Sequence, residues 1–164
     1  MDTTPEPYLP SGIFILIILI LLFLTATCAA AEKSLMASNK VRNNAHEQFE
    51  LRGAITLFGL GIYAVILLWL QSDLSTFLYE NNIPGSSILS VILLLFAATF
   101  LVLVFGEIYP KKWAVQKLDR AASLTEKPVK WILLPLTPLL WLMSATGNLL
   151  LRITGQKIHL EDEE

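Results

Sequence analysis

The chain has 164 residues, of which 54% are hydrophobic and 16% charged. A soluble domain carries about 25% charged residues, so lipid is the solvent for much of this chain, and a sizeable soluble domain is excluded. The formal net charge of −2 argues against a nucleic-acid partner, and the lack of any Ser-His-Asp, Cys-His or Gly-rich phosphate constellation argues against an enzyme.

The first apolar run, Ile13 to Ala31, reads IFILIILILLFLTATCAAA and holds no charge. A signal peptide would need a basic start, and the first ten residues carry Asp2 and Glu6 with no Lys or Arg. Lipid attachment at Cys28 is a weak alternative, because Thr25-Ala26-Thr27 is a poor match to the usual cleavage box. The run therefore reads as a retained span. A polar stretch follows from Lys33 to Arg52, then a Gly-rich apolar run from Gly53 to Leu70, suited to close helix packing in lipid. Ser72 to Ser87 reads as a loop with the turn signal Asn81-Asn82-Ile83-Pro84-Gly85. The third run is Ile88 to Gly106, ending at Glu107.

Lys111 to Lys130 interleaves six Lys and Arg residues with Trp113, Val115, Leu118, Ala122 and Leu124. That pattern predicts a basic helix lying on the membrane surface, with a solvated loop as the alternative. The fourth run, Trp131 to Leu151, contains Pro135 and Pro138 and is flanked by Lys130 and Arg152. Proline removes a backbone donor, so this run reads as broken or re-entrant, with a fourth crossing as the runner-up. The expected fold is an all-α membrane protein: three transmembrane helices, a basic juxtamembrane belt helix and a proline-broken fourth hydrophobic segment.

The twelve Lys and Arg residues lie after the first run, after the third and beyond the fourth. The positive-inside rule then puts the N-terminus outside, 33–52 inside, 72–87 outside and 111–130 inside. Residues 1–10 become an extracellular tail, 11–155 the transmembrane domain, and 156–164 an acidic cytoplasmic tail. The expected location is the cell (plasma or inner) membrane.

Ionisable groups at a membrane boundary are costly and often functional. Glu32 closes the first span and Glu107 the third. Thr25 and Glu32 are seven apart and share one helix face. Pro110 cannot donate to the carbonyl of Gly106, four residues back, which leaves that oxygen for another partner. A carboxylate, a carbonyl and a hydroxyl are hard oxygen ligands of the kind Mg²⁺ prefers, usually with retained waters. The plainer alternative is that each glutamate pairs with Lys33 or Lys111 at the interface.

The chain resembles the transmembrane domain of the cyclin-M/CorC (hemolysin-like) divalent-cation transporters. FGEIYPKKWA at 105–114 is similar to the family's F-G-E-I-x-P-K-x-x-A. TATCAAAEKSL at 25–35 is similar to S-x-x-x-S-x-A-E-x-A-L, and PLLWLMSATGNLLLRITG at 138–155 to the family's closing P-L-x-x-L-x-x-x-x-x-N-x-L-L-x-L-x-G. The resemblance implies a homodimer that binds Mg²⁺ within the membrane and exchanges it, with Na⁺ as the coupling ion. It implies ligands at Thr25, Gly106 and Glu107, with support from Thr27, Glu32, Thr99, Pro110 and Lys111. Two departures stand out: Ala29 replaces a ligand serine, and the second run lacks the family's G-N-N-x-x-N asparagines. The family usually continues into nucleotide-binding CBS domains, and these 164 residues hold none. A membrane-domain-only member and a truncated one are both open readings, as is a separately encoded cytoplasmic partner docking on the acidic tail. The rival functional reading is a non-transporting scaffold or subunit with a degenerate ion site.

Overall fold

The structure is a computed structural model describing residues 10–37 and 45–155. The N-terminal tail through residue 9, the acidic tail at 156–164, and Lys40 and Arg42 lie outside the described residues. Within them the chain is wholly helical, with no strand. The elements are α1 (Ser11–Ala37), α2 (Ala45–Glu80), α3 (Ser86–Leu101), a π-helical segment (Val102–Ile108), α4 (Tyr109–Gln116) and α5 (Leu118–Ile153).

Four rods are long and apolar enough to cross a membrane: Ser11–Met36, Gln48–Glu80, Ser86–Gln116 and Leu118–Ile153. The first three exceed sequence expectation in length, because polar residues at their ends continue the helix. Ser72 to Glu80, read as loop, is the last part of α2; Thr76 satisfies its hydroxyl by donating to the Ser72 carbonyl at 2.9 Å. The turn itself is as predicted, with Asn82 at φ 58° and Gly85 at φ 73°, a backbone region that glycine enters freely. Lys33 and Ser34 likewise belong to α1, and Arg52 to α2.

The basic segment and the fourth run are corrected more substantially. The chain turns at Lys117 (φ −135°, ψ 56°), so residues up to Gln116 extend the third rod. Beyond Lys117, a single 36-residue helix runs through Pro128, Pro135 and Pro138 without a break. Proline deletes one N–H, but the flanking hydrogen bonds and packing hold the helix, as they do for prolines in apolar surroundings.

Packing centres on α1. Its small residues Cys28, Ala29 and Ala31 meet Leu51, Ala54 and Ile55 of α2 and Val129, Leu133 and Leu140 of α5. Ala30 meets Ala114 of α4 and Ala121 of α5. Lipid tails are as apolar as leucine, so small residues stabilise such contacts by letting backbones approach and van der Waals contact accumulate. A second cluster joins Ile62 and Ile66 of α2 to Leu94, Ala98 and Val102 of the third rod.

The spacing of contacts sets the direction of α5. Its buried residues run from Ala121 to Leu140, about 28 Å of helix. Their partners, Cys28 to Leu35 on α1 and Leu51 to Phe58 on α2, each cover only about 10 Å. So α5 packs on both α1 and α2, grouping Ala121 with Ala30 of α1 and setting Leu140 against Gly53 of α2. Beyond Leu140 it buries nothing: Trp141, Leu142, Leu149, Leu150 and Ile153 are all exposed on the protein surface.

Candidate cation site at the inner ends of the first and third rods

Hydroxyls in an apolar medium turn back to their own helix. Thr25 donates to the Leu21 carbonyl at 2.7 Å, Thr27 to Phe23 at 2.8 Å and Thr99 to Leu95 at 2.6 Å. These bonds use the proton and leave oxygen lone pairs available. What separates the three is position. Thr25 is fully buried, Thr27 half-buried, and Thr99 exposed on the surface. Thr99 sits beside Ala98 but off the buried face formed by Leu94, Ala98, Val102 and Gly106. Thr25 is thus enclosed between the first and third rods, and Thr99 lies on the outer surface of α3.

Thr25 faces Gly106. A Cβ built on Gly106 would lie 3.1 Å from Thr25 Cγ2 and 3.6 Å from its Cβ. A side chain at this position would press on Thr25, and the neighbour would have to give by a few tenths of an ångström. Gly106 and Glu107 both lie in the π-helical segment, where hydrogen bonds reach five residues back. The Tyr109 N–H donates to the Val104 carbonyl. Pro110 then has no N–H to offer, either to Phe105 in the five-residue register or to Gly106 in the four-residue register. The sequence pointed to the proline but not to the change of register, which no local propensity signals. Single π turns inside helices occur often at functional sites.

Glu32 lies two helical turns further along α1 and is only 3% exposed. Its Oε1 is 3.3 Å from Arg52 Nε on α2, and its Oε2 is 3.5 Å from Lys111 Nζ on α4. Lys111 Nζ also lies 3.4 Å from Glu107 Oε2, one turn before it. The predicted support residues Glu32 and Lys111 are therefore joined to Glu107 in one charged row, Glu107–Lys111–Glu32–Arg52. Arg52 was missed as a member; it is 20 residues from Glu32, the nearest predicted site residue in sequence, and its side chain is mostly exposed. Lys33, the other expected partner, does not form these pairs among the described residues.

Ala29, at the position of the missing serine, is fully buried in the α1/α2/α5 core and faces that core, not Gly106. Among the described residues no group of three His, Cys, Asp or Glu side chains stands close enough to hold a metal ion. The donor set is therefore one carboxylate, a threonine hydroxyl and backbone carbonyl oxygen. That suits a hard cation that keeps several waters, and is poor for a soft, closed structural metal site. A separate groove of about 600 Å³ lies between α1, α2 and α5, lined by Ser34, Leu51, Thr125 and Val129. Neither Thr25 nor Glu107 lines it.

Comparison with known proteins places this arrangement. The chain is 29% identical over 140 residues to UPF0053 protein YhdP of Bacillus subtilis (strain 168), covering 82% of this chain and 31% of that protein. It is 33% identical over 78 residues to UPF0053 protein YrkA of the same organism, covering 48% of this chain and 18% of that protein. The chain thus spans less than a third of the length of these relatives. Residues 16–164 match the family described as the cyclin M transmembrane N-terminal domain. On that match, which takes in both the Thr25–Gly106 contact and the Glu107–Lys111–Glu32–Arg52 row, the chain belongs to the cyclin M transmembrane domain family.

Proposed function

We propose that this chain is the membrane domain of a divalent-cation transporter that takes Mg²⁺ as its substrate. The observation that carries this reading is the contact between Gly106, in the π-helical segment, and buried Thr25. It brings Thr25 of the first rod, methyl foremost, against the stretch where the third rod departs from α register, next to Glu107, so that a side-chain rotation turns the hydroxyl toward it. Glu107 supplies the charge, Thr25 and main-chain oxygen supply neutral ligands, and retained waters complete the shell that Mg²⁺ demands. Thr27, half-buried on α1, stands as a supporting hydroxyl. Exchange against Na⁺ and a homodimeric state belong to the same proposal, and the family relationship supports them.

The membrane arrangement proposed is three crossings, by α1, by α2 and by the rod from Ser86 to Gln116, with the N-terminus outside and the C-terminus cytoplasmic. Basic residues support it: Arg52 and Lys111 meet at Glu32, with Lys33 and Lys112 beside them in sequence, and the turn at 81–85 has none. The exposure of α5 beyond Leu140 and the basic residues at its start support its role as the surface belt.

The test is direct. Mg²⁺ should raise the melting temperature of the purified chain, and Glu107→Ala should remove that rise while leaving the metal-free melting temperature nearly unchanged. A wild type indifferent to Mg²⁺ would favour the scaffold reading, for which Ala29, sealed into the core, is the supporting observation.

A further inference from the structure

Lys111 is the residue that ligand chemistry leaves unexplained. An ammonium beside Glu107 neutralises the one carboxylate that a cation would need. Yet Lys111 sits 3.4 Å from Glu107 Oε2 on its own rod and 3.5 Å from Glu32 Oε2 on α1. Both heads are about one-third exposed, while Glu32 is 3% exposed. Glu32 Oε2 is a buried oxygen that accepts no hydrogen bond, so it has capacity to receive one.

We propose that Lys111 is a tethered cation that competes with the divalent ion for Glu107 and passes over to Glu32 when the ion binds. Lys111 is a positioning residue in this scheme and does not touch the ion. The inference rests on the preceding reading of Glu107 as a ligand.

The physical case is one of charge. A dication on Glu107 repels an ammonium a few ångströms away, and the repulsion is strong where water is scarce. Glu32 offers the displaced ammonium a second anion within the same reach, so no charge is stranded. The buried Glu32 gains in turn, because its Oε2 acquires a close partner in addition to Arg52 on Oε1. A lysine suits this exchange: its head is compact, its stem is flexible and its three donors rotate. Arginine would grip Glu107 in a rigid fork. The arrangement also discriminates by valence. A monovalent ion brings Glu107 no more charge than Lys111 already supplies, whereas a dication brings twice as much. Lys111 thereby sets a threshold that Mg²⁺ passes and Na⁺ at the same position does not.

The experiment titrates MgCl₂ into the purified full chain in detergent, reading melting temperature and tryptophan fluorescence, with NaCl as the competitor. Lys111→Met should bind Mg²⁺ about tenfold more tightly than wild type, and NaCl should now weaken that binding. Lys111→Arg, which keeps the charge and the fold, should bind several-fold more weakly. Glu32→Gln should weaken binding when Lys111 is present and much less in the Lys111→Met background, a coupling that independent electrostatic effects would not produce. Binding seen in Lys111→Met but not in the wild type would mean that Lys111 blocks the site outright, and would overturn the exchange onto Glu32. Unchanged or weaker binding in a Lys111→Met protein with a wild-type metal-free melting temperature would overturn it. If Lys111→Met does not fold, equal binding by Lys111→Arg and wild type would overturn it instead. Wild-type binding that is insensitive to position 111 sinks this inference alone. Failure of every variant to bind sinks the reading of Glu107 and this inference with it.

Discussion

Gly106 and Thr25 are packed so closely that a single added carbon on Gly106 would press on the threonine methyl at 3.1 Å. The contact ties the third rod to the first at the level of the candidate ligands. It also makes the methyl, not the hydroxyl, of Thr25 the group nearest Gly106, since the hydroxyl is turned to the Leu21 carbonyl. Rotation about the threonine side-chain bond exchanges the two groups.

Gly106→Ala should therefore separate the rods by a few tenths of an ångström and cost about 1–3 kcal/mol, the usual range for overpacking. It should also abolish or strongly weaken stabilisation by Mg²⁺. Thr25→Ser removes the methyl and should recover part of the lost stability in the double variant. Melting curves of the two single variants and the double, with and without Mg²⁺, check both points. Equal loss in the single and double variants would show that the contact is not the cause.

Gly53 performs a similar role for α5. A Cβ there overlaps the Leu140 side chain, which is 2% exposed and is the last residue of α5 that is buried. Gly53→Val should lower the melting temperature and loosen α5, and Leu140→Ala should relieve the clash in the double variant. Leu140→Ala alone should cost about 2–5 kcal/mol by leaving a cavity. Trp141 adjoins Leu140 in α5, so the part of the tryptophan fluorescence change that a Trp141→Phe variant loses reports on the contact.

The charged row predicts an asymmetry. Glu32 is buried, while Arg52 is mostly exposed and Lys111 partly so. Removing both cations with Arg52→Met and Lys111→Met strands a buried carboxylate and should destabilise by about 3–5 kcal/mol. Glu32→Gln leaves two cations that reach water and should cost clearly less. Chemical denaturation in detergent distinguishes the cases, and the reverse order would mean that Glu32 is not buried in the folded protein.

The proposed orientation predicts accessibility. In a Cys28→Ser background, Asn82→Cys in the turn should be labelled from outside intact cells by a membrane-impermeant maleimide. Arg120→Cys near the start of α5 should be labelled only after permeabilisation. Cys28 itself is fully buried and should react slowly in either case. The opposite labelling pattern would invert the orientation.

Much of the fold is legible in the residues because hydropathy is local and adds along the chain. The run from Ile13 to Ala31, the glycine-rich second run and the turn at Asn81 to Gly85 each announce themselves within about 20 residues, without reference to a partner. Element ends and proline effects read less well. Ser72 to Glu80 and the stretch through Pro128, Pro135 and Pro138 are helical because neighbouring hydrogen bonds and packing outweigh the local signals against it.

The site divides along the same line. The residue types at Thr25, Gly106, Glu107 and Pro110 are enough to suggest hard oxygen ligands, since that chemistry belongs to the side chains and the missing N–H. Which anion meets which cation is a different matter. Glu32 is closed by Arg52 from α2 and Lys111 from α4, and Lys111 is shared with Glu107, because three rods converge at one point. Ion pairing depends on distances across a bundle, and sequence spacing carries no record of them. So the amino-acid sequence by itself determined that the chain lives in lipid and that it is helical, and it suggested which oxygen atoms to consider as ligands. Only the tertiary structure decided that a lysine already stands between the two glutamates, because helices distant in sequence must pack before their charges can meet.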